Sequence, residues 1–330
     1  LLLLAQIGVG NVRKPADSQM SIRVRFAPSP TGQLHIGNLR TAIFNYLFAR
    51  HNGGRFLLRV EDTDQARSTP EAVRYLQEVL AWMDLDPDGK ALYQSRQADA
   101  HRQAAQRLLA QGAAYQEPEQ PDADARAILF RLPWGGAAAI HDAGPVEQPV
   151  HPEVPVAIGQ AGLDYAQVSK KGKPVPSAGA LAGYRELVVL DSEDRVLYEL
   201  EPEAEAVLAG EVTRSIEGAA KLRFRRRLVR FEDAVRGTMS KPMDGMKDMV
   251  IVRRDGSPVF HLANVFDDIE MAVSHVIRGD DHVENTYRHS LLAAADHFSL
   301  RLPVIVVFFL LGKSARRQEQ RGRENWCQWP

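Results

Sequence analysis

Polar and apolar positions alternate toward a strand over 21–26, and a turn-rich stretch with Pro28, Ser29, Pro30 and Gly32 follows. Leu39, Ala42, Ile43, Tyr46 and Leu47 then recur at steps of three and four. That spacing makes one buried stripe and predicts a helix over 38–49, ended by Gly53-Gly54. The apolar stretch 56–60 predicts a buried strand. Ser68 or Thr69 can cap the next helix, and Pro70 suits its first turn. Val73, Leu76, Val79, Leu80 and Met83 form that helix's stripe, and a further helix is predicted over 96–111. Strand, helix, strand, helix is the order of an α/β unit with parallel strands.

The middle of the chain lacks this regularity. Nine of the 19 prolines fall between Pro118 and Pro176, among repeated Gly and Ala. The pattern predicts a loop-rich, partly flexible insertion, with short strands only, such as 127–132 and 186–190. Periodicity returns at 221–230, where six of ten residues are basic and Leu222, Phe224 and Leu228 lie at even spacing. Two readings are equally weighted there: a solvated edge strand, or a strand lying along a phosphate backbone. Strands are expected at 249–253, 259–265, 272–277 and 304–311, with a turn at Asp255-Gly256 and a helix at 285–298. After Gly312 no period is visible.

The composition narrows the class. At 330 residues, with 45% hydrophobic and 25% charged residues, the chain is globular and long enough for about two domains. The net charge of −1 excludes a basic nucleic-acid coat, though not a local basic face. Cys327 is the sole cysteine, which excludes an internal disulfide and a cysteine-rich zinc site. A reducing, cytoplasmic setting fits. The apolar run 304–311 is far shorter than the ~20 residues that span a bilayer, so no membrane is expected as partner. Residues 1–20 read as a leader without fixed structure and 313–330 as an irregular tail.

The strongest chemical signal is Arg25-Phe26-Ala27-Pro28-Ser29-Pro30-Thr31-Gly32, then His35-Ile36-Gly37-Asn38. A strand end, a rigid turn and a helix start point backbone N–H groups and a positive helix end at one place, which suits a phosphate. Gly37 allows close approach to the backbone, and His35 can donate to a phosphate oxygen as charge builds. Asp280-Asp281-His282 is taken as a loop and not as a metal site, because neighbouring strand residues alternate in direction.

This block resembles the first signature of class I aminoacyl-tRNA synthetases in the glutamyl branch. Arg59-Val60-Glu61-Asp62-Thr63-Asp64 with Arg67-Ser68-Thr69 resembles the family's second strand and loop, and 259–268 with 275–282 its later half. The resemblance implies an α/β fold: a class I Rossmann-like nucleotide-binding catalytic domain with an inserted α+β acceptor-stem-binding region. Its first half would span 21–115, the inserted region 116–245 with an atypical loop-rich part at 134–218, and the second half 246–312.

The implied activity is glutamate–tRNA ligation: ATP, with Mg2+ as its substrate complex and no zinc, activates L-glutamate, which passes to the acceptor arm of tRNA(Glu). A monomer is expected. By the same resemblance, Arg25 and Arg278 serve the substrate γ-carboxylate, Glu61 its ammonium group, and Ala27, Ser29, Phe260 and Asn264 line the amino-acid site. Pro30, Thr31, Gly32, His35, Gly37 and Asn38 bind ATP, with His35 and Asn38 also catalytic. Asp62 and Asp64 are as readily turn formers as site residues. Phe260 stands where the family usually has tyrosine, so one hydroxyl is missing. The family's lysine-rich second signature is poorly matched at 311–317, with Lys313 as the substitute; Thr238-Met239-Ser240-Lys241-Pro242 has similar letters but precedes the second half of the fold. The chain is expected to stop before the family's anticodon-binding domain. Three alternatives are a glutamyl-queuosine-tRNA(Asp) synthetase, a glutaminyl enzyme, and an impaired fragment that only binds ATP or tRNA.

Overall fold

Alternation along the first strands decides where the molecule puts its charge. The computed structural model describes residues 21–30, 34, 36–64, 67–117, 125–279 and 282–295, and the backbone of 305–309. It opens with β1 (Arg23–Phe26), α1 (Ile36–His51), β2 (Arg55–Val60), α2 (Pro70–Trp82), β3 (Leu92–Tyr93) and α3 (Ala98–Ala110). β2 pairs in parallel with β1 and with β3. Val24 and Phe26 share a buried cluster with Phe56, Leu58 and Val60, which α1 and α2 cover with Phe48, Leu76 and Leu80. Leu57 belongs to a separate cluster with Met271, Val273 and Val276, on the other face of the sheet. The predicted cap of α2 is present: Thr69 accepts from the Ala72 N–H at 3.2 Å, and Pro70 opens the first turn.

The middle of the chain is β-structure, not loop. It comprises β4 (Ala114–Gln116), β5 (Ile128–Phe130), β6 (Ile140–Pro149), β7 (Val156–Gly159), β8 (Gly162–Val168), β9 (Pro174–Gly179), β10 (Tyr184–Leu190) and β11 (Val196–Glu199). A short helix α4 (Ala204–Ala209), β12 (Arg214–Ile216), the long β13 (Lys221–Asp233) and β14 (Gly237–Pro242) follow. β12-β7-β8-β9 form one antiparallel sheet, and β11-β10-β13 the spine of another. Val156, Ile158, Leu163, Val189, Leu222 and Phe224 close a core between them. The prolines misled the sequence reading because they sit where a strand tolerates them: Pro149 ends β6, and Pro174 and Pro176 lie on β9 at the sheet edge.

The basic strand β13 corrects the edge-strand reading. It is not an edge, since β6 pairs with it on one side and β10 and then β14 on the other. Of its six cations at 221–230, four face carboxylates, one is buried and Arg230 is exposed. Lys221 pairs with Asp194, Arg223 with Glu147, Arg225 with Asp142 and Arg226 with Asp244, all at 2.6–2.8 Å. Arg227 is buried and donates to the carbonyls of Pro133, Trp134 and Ala182.

The second half holds β15 (Met249–Val252), α5 (Phe260–Glu270), β16 (His275–Gly279), α6 (Val283–Ala295) and β17 (Ile305–Phe309). The strand expected at 259–265 is thus a helix. Leu262, Ala263, Val265, Phe266 and Ile269 follow helical spacing, which shows only when the stretch is read on to Ile269. The strand expected at 272–277 begins at His275, because Ala272 turns the chain at φ 51°. β16 pairs in parallel with β17 and starts beside β1, where the Ser274 N–H donates to the Arg23 carbonyl at 2.9 Å. Asn45 of α1 donates to the Ile277 carbonyl at 3.3 Å, seating that helix on β16. Both halves of the chain therefore build one parallel core.

Asp248 joins the insertion to this core, accepting from the Leu132 N–H at 2.9 Å and the Tyr115 hydroxyl at 3.2 Å. Burial pushes its carboxyl up to about 6, against the opposing effect of those bonds and Arg131. A raised acid adds stability that is complete below its unfolded value and is lost as pH rises through the folded one. Urea denaturation should show about 2 kcal/mol of stability lost between pH 4 and pH 7 that the Asp248→Asn variant does not lose. Parallel pH profiles for the two proteins would contradict this.

Candidate active site

Three arginines reach the same face of the parallel core by alternation alone. In β1, Val24 and Phe26 face the helices α1 and α2, so Arg25 faces away from them. In β2, Leu57 lies on the far face, and Arg59 and then Glu61 follow it at steps of two. In β16, Ile277 joins the α1 side and Val276 the opposite cluster, so Arg278 accompanies Val276. All three arginines lie near the carboxyl ends of parallel strands, where open α/β sheets place ligands.

Helix α5 covers that face with Asn264 and Asp268, one turn apart. Arg25 holds Asp268 with Nε at 2.8 Å and Nη2 at 3.2 Å. Arg59, almost fully buried, donates from Nη1 to Asp268 at 2.6 Å and from Nη2 to Glu61 at 2.9 Å. Its Nη2 also reaches the Asn264 Oδ1 at 3.2 Å, which accepts from Gln94 at 3.0 Å as well. Behind them, buried Asp267 accepts from Gln94 at 2.8 Å and lies 2.7 Å from His101 Nε2. Arg278 donates to the Thr286 hydroxyl of α6.

The electrostatics show one shared cluster. Burial alone would raise the Asp268 carboxyl, but the Arg25 and Arg59 guanidinium groups outweigh it and hold it down at about 2. Burial opposes the charge of Arg59, yet Asp268, Glu61 and Asp267 raise its pKa above the usual arginine value. Arg278 moves the other way, to about 10, through burial and then through Arg25, against the opposing pull of Asp268 and Glu61. An anion entering beside Arg278 relieves that strain.

His261 and His289 close the cluster with a 3.1 Å contact between ring nitrogens. Burial, with Arg288 and Arg278 nearby, lowers His261 to about 4, and burial and Arg278 lower His289 further from its ordinary value, so both rings are neutral at pH 7. The half-exposed Phe260 ring lies 4.1 Å from the His261 ring centre.

Arg25, Glu61, Asn264 and Arg278 are therefore brought together, as expected, with Phe260 beside His261. Ala27, Ser29 and Pro30 follow β1 in a turn held against the end of β2 by the Glu61 N–H, which donates to the Pro28 carbonyl at 2.9 Å. Ser29 is exposed there, while Gly37 and Asn38 are half-buried in the first turn of α1. Thr31, Gly32, His35 and Lys313 lie outside the described residues, as do Asp280 and Asp281. Asp62 accepts from the Ser95 N–H at 2.8 Å and hydroxyl at 2.6 Å, and Asp64 pairs with Arg67 at 2.6 Å. Lys241 lies on β14, where it pairs with Glu284, so the signature-like letters at 238–242 form a strand.

Sequence reasoning missed Arg59 and Asp268 as members of the cluster, and Asp267, Gln94 and His101 as its support. An arginine inside an otherwise apolar strand was the available signal for Arg59. Asn264 and Asp268 at i and i+4 would have been visible once 260–270 was recognised as a helix.

The family model for class I tRNA synthetases (E and Q), catalytic domain, matches residues 21–124 and 209–321. The chain belongs to that family. A glutamate–tRNA ligase of Acidiphilium cryptum is 37% identical over 275 residues, covering 82% of this chain and 46% of that protein. One from Phenylobacterium zucineum is 35% identical over 279 residues, covering 82% and 45%. A solved glutamate tRNA ligase of Elizabethkingia meningosepticum, in complex with its amino acid, has a TM-score of 0.52 at 24% identity, covering 91% of this chain and 53% of that one, which supports the fold. The chain thus spans about half the length of these relatives. Residues 125–208, between the two matched stretches, hold most of the inserted β-structure.

Proposed function

We propose that this chain activates L-glutamate with ATP and passes it to the acceptor arm of tRNA(Glu), a reading that the relatives' name, glutamate–tRNA ligase, supports. The observation that carries the reading is the convergence of Arg25, Arg59 and Arg278 with Glu61 at the carboxyl ends of three parallel strands. Glutamate brings two carboxylates and one ammonium group. Its side-chain carboxylate fits against Arg278 and Arg25, and its ammonium group against Glu61, with Ser29, Asn264 and the chain at Ala27 completing the walls.

ATP is assigned to Pro30, Thr31, Gly32, His35, Gly37 and Asn38 by the resemblance; of these, Gly37 and Asn38 lie in the first turn of α1, and a helix start favours a phosphate. One α-carboxylate oxygen of glutamate attacks the α-phosphorus, forming a mixed anhydride and releasing pyrophosphate. The ribose hydroxyl at the tRNA 3′ end then attacks the acyl carbon, releasing AMP. Positioning and charge stabilisation carry both steps, a role that the resemblance gives to His35, Asn38 and Lys313; no enzyme nucleophile is required. Mg2+ enters with ATP and not in a protein cage. The setting for this reaction is the cytoplasm, and the chain acts as a monomer.

Isotope exchange between pyrophosphate and ATP tests the reading, with glutamate or glutamine and with or without tRNA. Glutamate-dependent exchange is expected, greater with tRNA(Glu) present. Exchange driven by glutamine would favour the glutaminyl activity, tRNA-independent exchange the queuosine-tRNA activity, and no exchange in any arm would contradict activation. In the same assay Phe260→Tyr should raise kcat/KM for glutamate several-fold by restoring one hydrogen bond of ~1 kcal/mol. An unchanged ratio would show that the missing hydroxyl is immaterial.

A further inference from the structure

The insertion carries its cations unevenly. Residues 134–218 hold fourteen carboxylates and six basic side chains. Three of those six are arginines, each turned onto a carboxylate: Arg185 on Glu201 at 3.3 Å, Arg195 on Asp191 at 2.7 Å and Arg214 on Glu203 at 2.7 Å. The other three are Lys170, Lys171 and Lys173, together at the tip of the β8–β9 hairpin. All three are exposed, and none pairs with a carboxylate among the described residues.

The hairpin is a rigid carrier. Ser169 N–H donates to the Lys173 carbonyl and Gly172 N–H to the Ser169 carbonyl, both at 2.9 Å, and the Ser169 hydroxyl accepts from the Lys173 N–H at 2.9 Å. Gly172 takes φ +70°, which closes the turn. Its base is clamped to the core: Ala180 N–H donates to the Met246 carbonyl at 2.7 Å, and a Cβ on Gly179 would lie 1.9 Å from the Asp244 carbonyl oxygen. From buried Tyr165 the strand runs on to Val168, about 10 Å, before the turn that carries the lysines. Pro174 and Pro176 on the edge strand bar another strand from pairing there.

We infer that the lysine tip of the β8–β9 hairpin grips the phosphate backbone of the tRNA substrate, a contact additional to the active site. Charge complementarity selects the occupant: a rigid cluster of uncommitted ammonium groups, on an otherwise acidic insertion, suits a polyanion and repels an acidic surface elsewhere. The long basic strand β13, the obvious candidate for this contact, has four of its six cations on Asp194, Glu147, Asp142 and Asp244 and a fifth, Arg227, buried. The inference rests on the tRNA-charging reading above.

The test is equilibrium binding of tRNA(Glu) to the chain and to the K170A/K171A/K173A variant over a salt series, with glutamate-dependent pyrophosphate exchange measured on both. The tip is exposed, so the variant should fold as the parent does. The expected result is binding weakened by ~10–100-fold at physiological salt and a salt slope shallower by about 2–3, with KM for ATP and glutamate unchanged. The K170R/K171R/K173R variant should retain parental binding. Unchanged affinity and slope in the alanine variant would overturn the inference and leave the proposed function standing. A parent chain that exchanges pyrophosphate but binds no tRNA at any salt would overturn the inference and the transfer half of the function, leaving activation intact.

Discussion

Replacing Asp268 by alanine should destabilise the protein by about 3–5 kcal/mol at pH 7, the range for removing one partner from a buried charge cluster. The carboxylate stands between Arg25 and Arg59, both buried, and its loss leaves two guanidinium groups facing one another. The effect depends on pH with a definite sign. The folded carboxyl is held at about 2, below its ordinary value of 3.8, so its contribution is complete above that ordinary value and is lost as pH falls through 2. Parent and variant should therefore converge on acidification from pH 4 toward pH 2. Urea denaturation at pH 7 checks the magnitude; a difference below ~1 kcal/mol would mean that the cluster is dispensable for the fold. Glutamate-dependent exchange should fall as well, because the same carboxylate orients Arg25.

Arg278→Gln should affect activity more than stability. The shorter amide can still reach toward Thr286, and removing the charge relieves the burial and Arg25 repulsion that lower the Arg278 pKa to about 10. A substrate carboxylate loses a charge-assisted contact of ~3–4 kcal/mol, so kcat/KM for glutamate should drop by ~10²–10³-fold while KM for ATP stays near the parental value. An equal rise in both KM values would point to a collapsed site. A parental KM for glutamate would remove Arg278 from the amino-acid pocket.

The first strand–helix–strand–helix unit was legible because its signals are local. The Thr69-Pro70 cap and the mostly apolar β2 each fix an element without distant help; the helix α1 stands where its spacing put it, but it buries Ala42, Asn45, Phe48 and Ala49 and leaves Leu47 of the predicted stripe exposed. Arg25, Glu61 and Arg278 could be singled out by resemblance, and their shared face follows from a period of two. Their partners could not be named, because Asp268 is more than 200 residues from Arg25 and Arg59 in sequence. Its helix was also mistaken for a strand: a stretch of seven residues, five of them apolar, fits either element. The insertion was misjudged for another reason. Its strands are rich in Gly, Ala and Pro, and they are held by cross-sheet pairing and by a core drawn from 150–224, none of which shows as a local period. The basic look of β13 misled in turn, since local charge says nothing about the Asp and Glu that face it across neighbouring strands.

The central claim is that Arg25, Glu61 and Arg278 enclose one acidic amino acid next to ATP. A crystal structure of the chain with a non-hydrolysable glutamyl-adenylate analogue tests it directly. The account predicts the glutamyl side-chain carboxylate at roughly hydrogen-bond distance, about 2.7–3.2 Å, from guanidinium nitrogens of Arg278 and Arg25, with the ammonium group beside Glu61. An analogue bound with its side chain away from these three residues would contradict it.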